Sequence, residues 1–360
     1  MSYWDILSKY PTEIVYFIFI AILLITLSIM TMMILYARRW YLVLREQRHA
    51  TLRFRYQYFI YDALVESNKE EVLSSTTLIV NKFKENELKN REQKQLMIDL
   101  LIELKKSFSG NAKRQFQQLY VCLGLQQESI AKLKSKHTLQ KIKGVRELSE
   151  IGCHCPELDK AFVEWQTVPQ TLLADEVKLA AVRMNSPHML SFLPQQKSTI
   201  SEWLQIQLRY HLEVLPHESI SNFSRWLNVY EPSAIVFILR MMALFKQNDA
   251  LEDIATLLYH LDDEVKAEAV STLEALEAKQ YLSSIFNLLD SNNESLKIRT
   301  IYAIGKLGQV FHANLLQPFL HQQSPGICDA ARLAIAEIHE RSFSNPKSLY
   351  KHTLHNSNTL

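Results

Sequence analysis

Cys153, His154 and Cys155 form the tightest cluster of metal-capable side chains in the sequence. A structural zinc site needs four ligands, commonly two pairs at C-x₂₋₄-C or H-x₃₋₅-H spacing. Here the spacing is C-x-C without a second pair, and Cys122 and His137 are remote. The cluster, followed directly by Pro156, reads as the turn at a helix end. Asp262 and Asp263 are adjacent carboxylates, a type that can share acid/base work. Their place between two apolar-periodic segments makes them helix-capping residues instead. The His residues are scattered, and no G-x-S-x-G, HExxH, Walker or dinucleotide signature occurs. No metal, cofactor or small-molecule substrate is expected.

Composition limits the elements that could position such chemistry. There are only 7 Gly in 360 residues, none before Gly110, and no Pro lies between Pro11 and Pro156. Turn-dense β architectures and phosphate-cradling glycine loops both need residues tolerant of positive φ, so both are excluded. Four Cys are too few for a disulfide-stapled fold. A net charge of +2 gives no general attraction to nucleic acid, and none is expected as a partner. The length suits about two domains.

Ile14 to Ala37 carries no charged residue. As a helix it reaches about 36 Å, against a hydrocarbon core of about 30 Å. It is too long for a signal-peptide core, and Glu13 precedes it where basic residues are expected. Residues 14–37 therefore read as a single transmembrane helix. Downstream lie Arg38, Arg39, Arg45, Arg48, Arg53 and Arg55, opposed by Glu46 alone. This excess predicts that residues 1–13 are non-cytoplasmic and that the rest faces the cytoplasm at the inner membrane. The same six arginines set topology or contact anionic lipid head groups. Residues 51–61 fit either a short strand or a continuing helix.

Residues 38–110 read as a basic juxtamembrane and charged helical segment. Leu96, Met97, Leu100, Leu101 and Leu104 make one helix face. Ser107 to Asn111 reads as a break, with Gly110 closing one helix and Asn111 capping the next. Leu123, Gly124 and Leu125 mark a turn. Lys132, Lys134, Lys136, Lys141 and Lys143 form a basic face that lacks stacking aromatics. It reads as solvated surface, with lipid or nucleic-acid binding through the helices at 82–146 as an alternative.

The last third of the chain repeats itself. Leu251, Leu282 and Ala313 are 31 residues apart, as are Ile254, Ile285 and Leu316. One period earlier stand Ile220, Phe223, Trp226 and Leu227, also spaced as a helix face. A second apolar set shares the period: Ala234, Val265, Leu296 and Ile327, then Leu239, Val270, Ile301 and Arg332. Asp262–Asp263, Ser291–Asn292–Asn293 and Ser324–Pro325 lie between the two sets as capping and turn residues. Each unit is a helical hairpin whose apolar faces need a neighbouring unit to cover them.

These segments resemble HEAT repeats. LEDIATLLYHLDDEVKAEAVSTLEAL and YLSSIFNLLDSNNESLKIRTIYAIGKLG carry the family's apolar first helix, polar turn and V-[KR]-x-x-A-x-x-x-L second helix, and Cys328 replaces the basic residue in the last unit. LLADEVKLAAVRM repeats the signature around Val177, Lys178 and Ala181, and Gly144 to Gly152 is a divergent version. The expected fold is all-α. A single transmembrane helix and a helical juxtamembrane segment lead to a divergent HEAT-like region at 111–219. A HEAT-repeat α-solenoid follows at 220–341, and then a disordered tail at 342–360. The whole is similar to bacterial membrane-anchored HEAT-repeat proteins.

The resemblance implies a non-enzymatic scaffold that holds a protein partner at the membrane, such as an enzyme of envelope polysaccharide synthesis or a signalling protein. Second helices line the concave face in such repeats. That nominates Lys266 and Glu274, then Lys297, Tyr302 and Lys306, then Asp329 and Arg332, as a partner-binding strip. The alternative is an enzyme with a scattered-residue site in the solenoid cavity, as in the HEAT-like lyases that attach bilin chromophores.

Overall fold

The computed structural model describes residues 12–66, 73–166 and 171–344. All regular structure among them is helical, and no strand occurs among the described residues. The chain divides into two compact units, Met1–Glu128 and Ser129–Leu360.

The first unit is organised by one long helix, α1 (Thr12–Glu66). Its N-terminal part contains the uncharged run. Residues 51–61 continue the helix, because the stretch from Arg38 to Glu66 holds neither Gly nor Pro to break it. Past the apolar run, α1 packs against α2 (Leu73–Glu87), α3 (Arg91–Lys106) and α4 (Asn111–Cys122). Tyr56, Phe59, Ile60 and Ala63 are buried there, and Phe59 stacks on Phe83 with ring centroids 3.7 Å apart. The buried face of α3 is Met97, Ile98, Leu100 and Leu101. Ile98 belongs to it, although the expected face passed it over.

The break before α4 differs from expectation. Ser107, not Gly110, closes α3, and its N–H bonds the carbonyls of Leu104 and Lys105. Gly110 is the N-cap of α4 and Asn111 its first helical residue. The chain must turn into α4 at φ +63 and ψ −133, a conformation open to glycine and strained for any L-residue. Gly124, at φ +71, makes the expected turn between α4 and α5 (Leu125–Leu133).

The second unit continues with α6 (Thr138–Ile151), α7 (Pro156–Glu164), α8 (Leu172–Arg183) and α9 (Glu202–Glu213). Then come α10 (Pro232–Leu244), α11 (Leu251–Thr256), α12 (Asp263–Ala275), α13 (Leu282–Phe286), α14 (Glu294–Leu307), α15 (Val310–Leu316) and α16 (Pro325–Ser344). The expected alternation is present, but unevenly: α11, α13 and α15 are short and each tightens into a 3-10 turn.

Where Ile220, Phe223, Trp226 and Leu227 promised a first helix, the chain makes two 3-10 turns, His217–Ser219 and Phe223–Trp226. Pro216 precedes the first, and the Asn222 side chain takes the Ser224 N–H that would otherwise serve a longer helix. Phe223 and Leu227 are buried nonetheless. Their spacing reported burial and not helix.

The long helices α10, α12, α14 and α16 pack side by side in chain order. Bonds at both ends show that neighbours run parallel. Near the N-termini, Asn293 donates to Asp263 at 3.0 Å and Ser324 donates to Glu294. Near the C-termini, Lys246 donates to the Ala275 carbonyl, and Arg341 to those of Gly305 and Lys306. The caps are those expected: Asp262 accepts from Glu264 N–H at 2.8 Å, Asn293 from Leu296 N–H at 3.3 Å and Ser324 from Ile327 N–H at 3.4 Å.

One hydrophobic core runs from Leu179 to Ile338 and contains Ala234, Leu239, Val265, Val270, Leu296, Ile301 and Ile327. Arg332 shares their register yet is exposed, and α16 turns Ala330, Ala331 and Ala334 inward instead. This lets α14 approach closely: a Cβ on Gly305 would lie 2.7 Å from that of Ala334. Residues 342–344, expected in the disordered tail, belong to α16. The rest of that tail, and residues 1–11 of the expected outer segment, lie outside the described residues.

Candidate functional site

The expected strip on the second helices is mostly committed to internal pairing. Lys306 on α14 bonds Glu274 on α12 at 2.7 Å, and this bond raises the Lys306 pKa. The other Glu274 oxygen is buried with no hydrogen-bond partner. Lys266 pairs with Asp263 at 2.7 Å, and Arg332 with Asp329 at 3.0 Å. Tyr302 packs against the core and Lys297 is half-buried. The strip therefore offers locally neutralised pairs, with Lys306, Asp329 and Arg332 exposed.

The Cys cluster sits as a turn. Gly152 ends α6 in the left-handed conformation and Cys155 is the N-cap of α7, with Pro156 at its first position. Cys153 and Cys155 are buried and His154 is exposed. Burial, with Cys155 nearby, pushes the Cys153 thiol up to about 11. Among the described residues no three His, Cys, Asp or Glu side chains are grouped to hold a metal ion.

A charged constellation escaped sequence reasoning because its members come from helices far apart in the chain. Glu176 on α8 is buried between Arg146, at 2.5 Å, and Arg183, at 3.4 Å. Arg183 also donates to Ser149 at 2.7 Å and lies 3.8 Å from Glu150. Also on α6, Glu147 accepts from Ser129 at 2.5 Å and from Lys132 at 2.6 Å, both on α5. On α10, Arg240 joins Gln205 of α9 and Glu268 of α12, each at 3.0 Å. Lys178 is buried against the Phe192 ring, 4.9 Å away, with Asp175 at 3.6 Å; desolvation lowers its pKa despite that carboxylate. Asp175 pairs within α8, whereas Glu147, Glu150, Glu176 and Glu268 each face a cation on another helix, so the geometry clamps these helices together.

A second feature missed from sequence is an apolar outer face. On α9, Leu204, Leu208 and Leu212 enter the core. The opposite side shows Trp203 (56% exposed), Ile206 (62%) and Tyr210 (61%), followed by Val214 (70%). These recur at helical spacing as one stripe. The signal was present in EWLQIQLRYHLEV, which is apolar on two faces where a surface helix needs one. Tyr230 and Leu261, each 98% exposed, stand just before the N-caps of α10 and α12 and are also one repeat apart.

In the first unit, Arg53 pairs with Glu103 at 2.5 Å and Arg55 with Glu87 at 2.6 Å. Arg38, Arg39 and Arg48 are exposed along α1, and the Arg45 side chain lies outside what is described. Residues on α1 from Phe19 to Leu44 are exposed, and the most apolar stretch of this helix, with mean hydropathy 2.5, is 0% buried by protein. By length and composition it is the one helix among the described residues able to cross a membrane.

No protein-family model and no curated protein matches the chain. Among solved structures, an engineered protein is similar at 15% identity and TM-score 0.36, covering 77% of this chain and 88% of that one. A second engineered protein follows at 14% and 0.33, covering 60% and 96%. Human deoxyhypusine hydroxylase in complex with glycerol is similar at 13% and 0.31, covering 73% and 97%.

Proposed function

We propose that this protein is a membrane-anchored scaffold. In this reading α1 crosses the bilayer once, the chain after it is cytoplasmic, and α6–α16 form a HEAT-like α-solenoid that binds a protein partner. The span is supported by the apolar side chains of α1 that no other described part of the chain covers. Each large one left in water forgoes roughly 1.5–3 kcal/mol, so together they require an apolar phase. The solenoid is supported by parallel long helices with a 31-residue repeat of caps.

The observation that carries the binding role is the α9 stripe of Trp203, Ile206, Tyr210 and Val214. A helix that buries one apolar face and displays another has a surface suited to an amphipathic helix of a second protein. Tyr and Trp are residues on which such interfaces concentrate their energy. Confinement beside the bilayer raises the effective concentration of a membrane-held partner, so a small face suffices.

The test is crosslinking of the full chain in intact membranes, with mass spectrometry of what is captured. Trp203→Glu with Tyr210→Glu is expected to abolish capture, whereas Tyr302→Ala with Lys306→Glu is expected to leave it intact. Capture no better than that of an α1-only control sinks the scaffold reading; loss in the second variant alone moves the site to the α12–α14 strip.

A further inference from the structure

We infer that the cleft between α1 and α3 is a binding site for the phosphate head group of an anionic phospholipid. The inference rests on α1 being a membrane span. The cleft has a volume of about 290 Å³ and two kinds of wall. Leu44 and Leu52 of α1 and Leu96 of α3 supply an apolar side, while Arg48 and His49 supply a basic one. Glu92 is its one carboxylate. Such a division matches a molecule with an anionic ester at one end and hydrocarbon at the other.

Arg48 is the cation around which the site is built. Arg53 and Arg55 on the same helix are consumed by Glu103 and Glu87, but Arg48 is exposed with no ion pair among the described residues. A guanidinium bonds two oxygens of a phosphate at once, which a lysine could not do as well. Position agrees with this role. Arg48 lies about 16 Å along the helix past Ala37, and helical side chains lean toward the N-terminus, here toward the bilayer. A long basic side chain thereby extends back in the direction of the head groups. Tyr41, at the membrane end of the cleft, is a residue type enriched at that depth.

The experiment purifies the full chain from micelles holding equal phosphatidylcholine and phosphatidylglycerol, and quantifies retained lipid by mass spectrometry after detergent washing. Wild type is expected to enrich phosphatidylglycerol. Arg48→Gln is expected to cut the enrichment about fivefold. Lys279→Gln, an equal loss of charge outside the cleft, is expected to keep it. Glu92→Gln is expected to raise it, and this variant decides the matter should the Arg48 variant misfold.

Absence of enrichment, equal loss in the Lys279 variant, or no gain in Glu92→Gln overturns the site. Elution of the lipid by millimolar inorganic phosphate overturns the lipid as the source of the anion. Alkaline carbonate extraction of membranes separates the two ideas: a chain that stays with the membrane but enriches no lipid disproves the cleft alone, and a chain that is extracted disproves the span.

Discussion

The guanidinium of Arg146 on α6 grips the buried carboxylate of Glu176 on α8, with Nη2 2.5 Å and Nε 3.1 Å from the same oxygen. Thirty residues of chain separate the partners, and Arg183 closes on the other oxygen. Removing Glu176 returns the half-exposed Arg146 to water but leaves the buried Arg183 guanidinium short of its carboxylate. Glu176→Leu is therefore expected to lower stability by about 3 kcal/mol in urea unfolding followed by circular dichroism. The exposed Asp329–Arg332 pair is expected to contribute under 1 kcal/mol. Similar losses at both places would refute the clamp.

Lys178 makes the opposite prediction. Its pKa is lowered from 10.5 by burial. Between the lowered value and 10.5 the unfolded chain holds more protons than the folded one, so stability rises with pH through that window. Below it, the folded protein carries a charge it would be better without. Lys178→Met is expected to raise the melting temperature at neutral pH and to flatten the rise on the alkaline side. A lower melting temperature at pH 7 would show that the ammonium over Phe192 is a net gain.

The four thiols should separate by environment. Cys122 is exposed, whereas Cys153 is buried with its pKa pushed up to about 11. At pH 8 about one in a thousand Cys153 side chains is thiolate. Iodoacetamide mapping of the native chain is expected to modify Cys122 within minutes and to spare Cys153 until the protein unfolds. Early labelling of Cys153 would mean that the α6–α7 turn opens.

Glycine scarcity has a structural consequence. Lys246 and Glu277, 31 residues apart, occupy left-handed positions after α10 and α12 at φ 53 and φ 55, where glycine is the usual residue. Glu277→Gly is expected to stabilise by about 1 kcal/mol by relieving that strain. Gly305→Ala is expected to destabilise by about 1–3 kcal/mol, because its Cβ would meet Ala334. Thermal unfolding of the two variants should move in opposite directions; shifts of the same sign would contradict the α14–α16 contact.

What was legible in the residue order was one-dimensional. An uncharged run long enough to cross hydrocarbon, an apolar period of 31 and polar caps before Val265, Leu296 and Ile327 announce helices and the faces they bury, because burial and capping act over a few neighbouring residues. Even there the limit shows: Phe223 and Leu227 are buried as their spacing required, but on 3-10 turns. Tertiary packing decided the remainder. Which arginines of α1 are left without an ion pair, which carboxylates are clamped by cations some thirty residues away, and which side of the doubly apolar α9 faces outward all depend on helices meeting across long stretches of chain. Local pattern carries no term for a partner that distant in the chain.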